Sequence, residues 1–426
     1  MAWVFYIFVL FICGVLVYTV IPDLFLHRLG ISCWKRQYTS GVALTFDDGP
    51  DPVLTPKVLD VLARNKVRAT FFLVGAKVAE CPELSKEILA QGHQIGLHSQ
   101  KHRYAWLLSP WATWREWEEG AATLEKYTGQ QIELVRPPWG TFNLVTWWWM
   151  KRHHKRIVLW NIEGHDWQVK RKPEQISQRI IKKARAGGII VLHDSGGETG
   201  ATEHTLQALE IICQRLVMEK KLPVVPLQLP DWNIWKRMVF SLWQEWENAF
   251  AHFYHIERID SKNLFRLSKI DYKGPKLYSA DGRILAKKGD RVVELHLDSL
   301  RLSGKGTDTQ TIGIKVLRQT RESLPDLAAY INDNSDYMGI QVFMGVSLLN
   351  RGVKGLGFHI QEVSSTWVNR GVGVLQKLNL WIYHPVGKSA SYKILQGQPK
   401  IVWISREELL SRWLNRDRLS ENNCNN

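Results

Sequence analysis

Residues 42–50, Val-Ala-Leu-Thr-Phe-Asp-Asp-Gly-Pro, set an apolar run directly before two adjacent carboxylates. The run predicts a buried strand, and Gly49-Pro50 ends it in a turn. Neighbouring residues of a strand point to opposite faces, but this geometry loosens at a strand end, so Asp47 and Asp48 can reach one pocket. One acid could then bind a metal while the other stays free as a base. The same composition is also typical of a plain surface turn, so the rest of the chain has to decide.

Two histidines, His98 and His102, follow another short apolar run at 94–97. A spacing of four is one helical turn, so both imidazoles face the same point if a helical turn begins at the strand end. Two histidines and one carboxylate are a familiar zinc set that leaves a position open for water. The alternative is a pair of surface histidines.

Short apolar runs recur through the first half of the chain, near 42–46, 69–74, 94–97, 132–135, 157–160, 188–192 and 223–226. Helical stretches lie between most of them, and two open with a hydroxyl residue before proline, at Thr55-Pro56 and Ser109-Pro110. Alternating strands and helices predict parallel βα units. About seven such units predict an α/β fold, a distorted (β/α) barrel. The polar motifs follow strands, where such barrels place their active sites.

Three further motifs each follow an apolar run: Arg136-Pro137-Pro138-Trp139-Gly140, Asp166-Trp167 and Leu192-His193-Asp194. With the Asp pair and the two histidines, their order resembles the polysaccharide deacetylases of the NodB-homology type, carbohydrate esterase family four, over roughly residues 40–228. The resemblance implies that Asp48, His98 and His102 bind a divalent metal. Zn²⁺ suits this donor set, with Co²⁺ or Mn²⁺ as alternatives.

The resemblance also implies a role for each remaining motif residue. Asp47 would be the general base and Arg136 would orient it. His193 would be the general acid, with its charge supported by Asp166. The substrate groove would be lined by Pro138, Trp139, Gly140, Trp167 and Leu192, and the Trp139 N–H would help to hold the oxyanion. One departure is Glu163, which stands where the family usually has Asp.

The N-terminal segment predicts a membrane anchor. Residues 3–21 contain no charged side chain and are long enough to cross a bilayer. No basic segment precedes them and no small-x-small cleavage site is evident, so we predict an uncleaved anchor over 1–22. Arg28, Lys35 and Arg36 would favour a cytoplasmic body, but long domains can cross despite flanking charge. The family's cell-wall substrates favour a single-pass protein whose catalytic domain is extracellular.

Three segments follow the anchor: a deacetylase domain over 38–230, a Trp-rich connecting helix over 231–254 and an α+β domain over 255–420. Aromatic residues recur at helical spacing in the second segment, which predicts a helix packed on a domain or, alternatively, one lying on the membrane. The third segment predicts a hairpin at Asp281-Gly282 and a capping box at Ser405. Strands are expected over 291–297 and 378–384, and a helix over 311–332. This domain resembles the YkoP-like type, which implies no function.

The composition limits the classes of partner that we expect. The net charge of +15 suits an acidic partner such as anionic lipid, a cell-wall polymer or nucleic acid, but no nucleic-acid motif accompanies it, so we expect none. The five scattered cysteines argue against a cysteine-based zinc site or a disulfide framework.

The predicted function is a metal-dependent hydrolase that removes N-acetyl groups from a polysaccharide. Peptidoglycan or another N-acetylglucosamine polymer is the first expectation for its substrate. Two alternatives remain: a deacetylase of a lipid-linked aminosugar, and a noncatalytic cell-wall-binding or scaffold protein with the same fold.

Overall fold

The computed structural model describes residues 2–298, 301, 309–347, 352–362 and 400–414. The chain divides into two compact units, Met1–Ile234 and Trp235–Asn426. The first contains the polar motifs of the predicted deacetylase domain, and the second contains the predicted α+β domain.

The first unit is built on an eight-stranded parallel sheet, with strand order β1-β6-β5-β4-β3-β2-β8-β7. The strands are β1 (Cys33–Trp34), β2 (Ala43–Asp47), β3 (Thr70–Leu73), β4 (Gln94–Leu97), β5 (Leu134–Val135), β6 (Arg156–Val158), β7 (Ile162–Glu163) and β8 (Ile189–His193). Strands that are buried on both faces have continuous apolar sequences, and for this reason the central strands of the sheet could be predicted. The predicted distorted barrel is confirmed as a curled, open form of that sheet.

One predicted strand is wrong. Residues 223–226 form no ladder, and Val224 makes only an isolated parallel bridge with Val42. Pro223 and Pro226 flank this bridge, and proline has no N–H to continue a ladder. The two-residue strands β1 and β7 escaped prediction because they are too short to show a period.

Seven helices of the first unit accompany the sheet: α2 (Leu54–Arg64), α3 (Gly75–Glu80), α4 (Pro82–Ala90), α5 (Pro110–Thr128), α6 (Leu144–Arg152), α7 (Pro173–Lys183) and α8 (Ala201–Met218). Ser109 caps α5 as predicted, because its side chain accepts the N–H of the third helical residue. The predicted cap at Thr55 is wrong. The Asp51 carboxylate accepts the backbone N–H groups at the start of α2, and the Thr55 hydroxyl donates to Asp194 instead.

The N-terminal helix α1 (Trp3–Arg28) is longer than the predicted span. It is long and apolar enough to cross a membrane. Its first part is exposed, whereas Thr19, Pro22, Asp23 and Leu26 are buried on the first unit. Asp23 Oδ1 accepts the N–H of Phe142 at 3.0 Å. The helix therefore continues past the apolar segment and becomes part of the fold.

The second unit contains a mixed six-stranded sheet, with order β15-β16-β14-β13-β10-β9, and a separate two-stranded pair. The strands are β9 (Glu257–Arg258), β10 (Phe265–Asp271), β11 (Leu277–Tyr278), β12 (Ile284–Ala286), β13 (Arg291–Leu297), β14 (Val342–Ser347), β15 (His359–Glu362) and β16 (Lys400–Ser405). The predicted hairpin is confirmed, with Gly282 at a φ of +85° between β11 and β12. The predicted strand over 378–384 lies outside the described residues.

Three helices belong to the rest of the described chain: α9 (Ile234–Phe253), α10 (Thr309–Asp333) and α11 (Arg406–Trp413). The capping box at Ser405 is confirmed by reciprocal hydrogen bonds with Glu408. The Trp-rich helix α9 buries Phe240 and Trp243 and exposes Trp235 and Leu242. Its role as a connecting helix stays a prediction.

Candidate metal centre and active site

The two carboxylates at the end of β2 reach one pocket, as predicted. Asp47 pairs in register with His193 of β8. Asp48 follows with a φ of +74°, a left-handed conformation that Asp tolerates better than most residues. This conformation breaks the alternation by which neighbouring side chains of a strand point to opposite faces. His98 Nε2 consequently lies 3.9 Å from Asp47 Oδ2 and 3.3 Å from Asp48 Oδ1.

The two histidines converge on Asp48, but not through a helical turn. His102 Nε2 lies 2.9 Å from Asp48 Oδ1, and one ligand atom from each of the three residues falls within 4.8 Å of the others. Residues 98–102 form a loop in which Ser99 and His102 have φ values of +63° and +52°. The Ser99 hydroxyl accepts the His102 N–H at 3.0 Å and closes this loop. The predicted helical turn is therefore wrong, although the predicted meeting of the imidazoles is right.

The donor atoms fit a divalent cation. His98 Nδ1 lies 2.7 Å from the carbonyl oxygen of Arg136. A carbonyl only accepts, so Nδ1 carries the proton and Nε2 offers its lone pair to the centre. Asp48 Oδ1 is buried there without a hydrogen-bond donor. A cation between these facing acceptors would satisfy both, and a set of two imidazoles and one carboxylate suits zinc.

Electrostatics keep Asp48 ionised. Burial acts to raise the pKa of Asp48, but the imidazoles of His102 and His98 hold it well below its ordinary range. A charged carboxylate is the form that binds a cation.

Arg136 holds the predicted base. Its side chain is fully buried, and Nη1 donates to Asp47 Oδ1 at 2.6 Å and to Thr45 Oγ1 at 2.8 Å. The remaining guanidinium nitrogens donate to two backbone carbonyls at the end of β6. The guanidinium also lies 4.1 Å from the centre of the Phe72 ring. Burial lowers the pKa of Arg136, and the charge of Asp47 opposes that change. The Arg136 guanidinium thus fixes Oδ1 of Asp47, while Oδ2 faces His98.

The predicted acid pairs with Asp166. His193 Nδ1 lies 3.0 Å from Asp166 Oδ1, and Asp166 Oδ2 accepts the His193 N–H and the Thr205 hydroxyl. Burial acts to lower the pKa of His193, but the charge and hydrogen bond of Asp166, with help from Asp48 and Asp47, raise it to about 10. The ring is consequently a cation that can donate a proton.

Two tryptophans stand beside the site. The Trp139 ring is half exposed and its centroid lies 4.3 Å from that of His102. The Trp167 ring stands 5.6 Å from that of His193 in an edge-to-face arrangement. One aromatic face is therefore available next to the metal ligands and another next to the acid.

The other predicted groove residues lie deeper. Pro138 and Gly140 are buried, and a Cβ at Gly140 would lie 3.3 Å from a side chain of α1. Leu192 has no exposed surface and packs in the hydrophobic core. Their contact with substrate stays a prediction. Glu163 accepts a hydrogen bond from Trp160 Nε1 at 3.2 Å.

Several supporting residues were missed in the sequence. Lys77 Nζ donates to the Asp48 carbonyl at 2.7 Å and to the Ser195 hydroxyl at 2.6 Å, which ties the turn after β2 to the turn after β8. The Thr55 hydroxyl donates to Asp194 Oδ2 at 2.6 Å, and burial raises the pKa of Asp194 to about 7. In a sequence, a lysine on a short helix is expected to face solvent. Only the hydrogen bonds of Lys77 in the folded protein show that it joins the two turns.

Two family models match parts of this chain. Residues 35–158 match the sequence model described as polysaccharide deacetylase, and residues 236–413 match that of the YkoP domain. The first match ends before Asp166 and His193. That match therefore does not include those two residues, and their roles are supported by the contacts between them.

Curated relatives and solved structures that act as peptidoglycan deacetylases are among the proteins similar to this chain. A peptidoglycan-N-acetylglucosamine deacetylase of Bacillus cereus is 37% identical over 163 residues, 38% of this chain and 76% of that protein. The peptidoglycan-N-acetylmuramic acid deacetylase PdaC of Bacillus subtilis is 35% identical over 153 residues, 36% of this chain and 32% of that protein. A crystal structure of the Bc1960 peptidoglycan N-acetylglucosamine deacetylase is 28% identical and covers 48% of this chain and 94% of its own, with a TM-score of 0.44.

Proposed function

This chain belongs to the polysaccharide deacetylase family, and on that premise we propose that it is a metal-dependent hydrolase of N-acetyl groups on an N-acetylglucosamine polymer. The reaction would cleave an amide, release acetate and leave a free amine on the sugar. The observation that supports it best is the convergence of three metal-type donors, Asp48, His98 and His102, with a buried Asp–Arg pair and a charged His–Asp pair.

Asp48, His98 and His102 would hold the cation. When bound, a divalent ion supplies Lewis-acid polarisation of the acetyl carbonyl and lowers the pKa of water beside it. The two imidazoles and the carboxylate supply only one negative charge, so the site keeps a net positive charge that attracts a carbonyl oxygen.

Asp47 would accept the proton of the attacking water. Arg136 holds Asp47 Oδ1 in a fixed position, and the second oxygen faces the metal-type donors. A base held by a buried guanidinium has one orientation, which reduces the reorganisation required in the transition state. The Trp139 N–H would help to hold the oxyanion, as the family resemblance implies.

His193 would give its proton to the leaving nitrogen. Asp166 binds Nδ1 and so keeps Nε2 as the atom that exchanges the proton. The raised pKa of His193 keeps the ring protonated at neutral pH, which is the state that an acid needs before the amine leaves. Trp139, beside His102, and Trp167, beside His193, would bind the faces of the sugar on either side of the catalytic groups.

Peptidoglycan is the first substrate that we propose. The two relatives described above are both peptidoglycan deacetylases, one of N-acetylglucosamine and one of N-acetylmuramic acid. We also propose that α1 anchors the protein in the cell membrane and that the catalytic unit is extracellular, where that polymer is found. The buried hydrogen bond from Phe142 to Asp23 supports an anchor that remains attached.

The test is acetate release by the full chain, stripped of metal and then resupplied with zinc or cobalt. Its substrates are N-acetylglucosamine oligomers and purified peptidoglycan. Asp47→Asn and His98→Ala should abolish the metal-restored release. Asp60→Asn and His252→Ala change exposed residues of the same two types and should retain it.

No release from either substrate by folded, metal-loaded protein would contradict the substrate proposal. A lipid-linked aminosugar would then be tested in the same assay. Failure there as well would favour the noncatalytic wall-binding alternative.

A further inference from the structure

The N-terminal helix is attached to the deacetylase fold near the active site. The Tyr18 hydroxyl donates to the carbonyl oxygen of Leu108 at 2.9 Å and lies 3.2 Å from the Thr113 hydroxyl. Five residues later, Asp23 accepts the N–H of Phe142, two residues beyond the Trp139-Gly140 turn. Two separated attachment points hold the direction of α1 relative to the groove.

The length of α1 sets the depth of this attachment in a bilayer. An α-helix rises about 1.5 Å per residue, so a hydrocarbon core of about 30 Å takes about 20 residues. A span that begins at Trp3 therefore ends near Pro22. The helical stretch Leu16–Val20 lies in the last third of that span, and it contacts α6. The surface next to α6 and Leu108 consequently lies at the level of the membrane interface.

Large apolar side chains are exposed on that surface. We call Leu107, Trp111, Leu144 and Trp148 the interfacial patch, and they are 83%, 72%, 39% and 49% exposed. Leu107 and Trp111 flank the residue that Tyr18 binds, and the other two lie on α6. Tryptophan is enriched at membrane interfaces, where its apolar ring and polar N–H suit the headgroup region.

The outer side of α1 extends this apolar surface. Ile21, Leu24 and Phe25 are exposed although Pro22 and Asp23 between them are buried. Lipid can therefore cover the attached end of the helix on the side that the protein leaves uncovered. An apolar helix face beside an apolar domain surface is what a protein seated on a bilayer requires.

The patch is connected to the active site by aromatic rings. The Trp139 ring centroid lies 5.5 Å from that of Tyr104, and the Tyr104 centroid lies 6.2 Å from that of Trp106. Trp139 is itself next to the metal-type ligand His102, and Trp106 directly precedes Leu107. One wall of the groove therefore runs from the ligands to the patch.

We propose that the deacetylase unit itself rests on the lipid headgroups through the interfacial patch, so that its groove opens at the membrane surface. The proposal rests on the membrane anchor given under the proposed function. It adds a second, peripheral contact and predicts that the enzyme reaches sugars presented close to the bilayer.

The test is the depth of single labels in the full chain, reconstituted in vesicles of phosphatidylcholine and phosphatidylglycerol. An environment-sensitive fluorophore is placed at Leu107→Cys or Trp111→Cys after Cys13, Cys81 and Cys424 are changed to Ser. Cys33 and Cys213 are buried and stay. Quenching by lipids with spin-labelled acyl chains is compared with quenching by aqueous iodide.

Both labels should be quenched by the lipid and protected from iodide at least threefold relative to Glu203→Cys. Glu203 is exposed on α8, which packs against α2 and α7. A separate variant that retains Cys13 as its labelled residue, with Cys81 and Cys424 changed to Ser, reports insertion of the anchor in the same vesicles. The proposal would be overturned by the following pair of results. The label on Cys13 is quenched by the lipid, and iodide quenches the labels at Leu107→Cys and Trp111→Cys as strongly as the label at Glu203→Cys.

A second measurement does not depend on labels in the loop. The double change Leu107→Glu and Trp111→Glu should move a label at Leu144→Cys from lipid quenching toward iodide quenching. Acetate release from soluble oligomers by the same preparation should stay unchanged, because neither residue belongs to the catalytic groups. Loss of release without any change in depth would concern the proposed reaction, and an unchanged label at Leu144→Cys would contradict the proposed contact.

Discussion

Arg136 Nη1 donates a 2.6 Å hydrogen bond to Asp47 Oδ1 in a setting where both side chains are buried. The same guanidinium is bound to Thr45 and to two carbonyls, and the Arg136 carbonyl faces His98 Nδ1. One residue therefore orients the predicted base through its side chain and a predicted metal ligand through its backbone.

The substitution Arg136→Lys should separate these two roles. Lysine keeps the charge and the carbonyl but cannot reproduce the planar fork, so the orientation of Asp47 is lost. We expect kcat to fall by about ten- to a hundredfold while zinc content stays normal. Steady-state acetate release and metal analysis check this, with the exposed Arg115→Lys as the matched control. Equal kcat values for the two variants would rule out an orienting role for the side chain.

The substitution Asp166→Asn should move the alkaline limb of the pH profile to lower pH. Asp166 overcomes the effect of burial and raises the pKa of His193 to about 10, so removal of its charge lowers that pKa. The acid then loses its proton at lower pH, and kcat/KM declines earlier as pH rises.

Thr205→Val is the control, because it removes one hydrogen bond to Asp166 and leaves the charge. Its limb should stay close to that of the parent protein. Because the folded pKa of His193 is raised, the pair also stabilises the fold fully below the ordinary pKa of 6.5, and this contribution is lost as pH rises through about 10. A limb that does not move in Asp166→Asn would mean that another group donates the proton.

Metal binding should raise the melting temperature through the predicted ligands. A cation that binds only the folded state stabilises it, by about 2.7 kcal/mol when its free concentration is 100 times Kd. Zinc should therefore raise the melting temperature of the metal-stripped chain, and His102→Ala should remove this increase. His252→Ala, an exposed histidine on α9, should preserve it. An increase that survives in His102→Ala would place the zinc elsewhere.

The substitution Gly196→Ala should weaken metal binding without changing a ligand. A Cβ at Gly196 would lie 2.8 Å from Asp48 Oδ2, and its φ is +76°. Gly129 has a φ of +69° and open space around its Cβ position, so Gly129→Ala has the same backbone strain, about 1 kcal/mol, without the contact. We expect zinc affinity to fall at least tenfold in Gly196→Ala and to be unchanged in Gly129→Ala, as measured by titration against a chelator. Parallel losses in both variants would assign the effect to backbone strain.

The second unit should depend on Asp298. This buried carboxylate faces Arg258 Nη1 at 2.9 Å and Arg266 Nη2 at 2.6 Å. Burial acts to raise its pKa, but the arginines lower it to about 2. The carboxylate therefore stabilises the unit above its ordinary pKa of 3.8, and this contribution is lost as pH falls toward 2.

Asp298→Asn removes a buried charge that faces two partly buried arginines and should lower the free energy of unfolding by about 3–5 kcal/mol. Chemical denaturation monitored near neutral pH checks this. The exposed Asp281→Asn should have little effect. Similar denaturation midpoints for the two variants would contradict a supporting role for the buried carboxylate.

Sequence reasoning was most successful where local pattern and chemistry agree. The apolar runs of β2, β3, β4 and β8 are continuous because those strands are buried on both faces. The predicted metal ligands meet because each follows a parallel strand, and parallel strands end at one edge of a sheet. The strand predicted over 223–226 was wrong because Pro223 and Pro226 have no N–H with which to continue a ladder.

The amino-acid sequence by itself determined the parallel α/β fold, the family and the set of residues that meet in the site, because apolar periodicity and motif order are local properties. Only the tertiary structure decided that His98 and His102 converge through a left-handed loop, that Lys77 joins two turns, and that α1 is attached beside the groove. Each of these depends on partners that are distant in the chain, and their hydrogen bonds exist only after the sheet has brought those segments together.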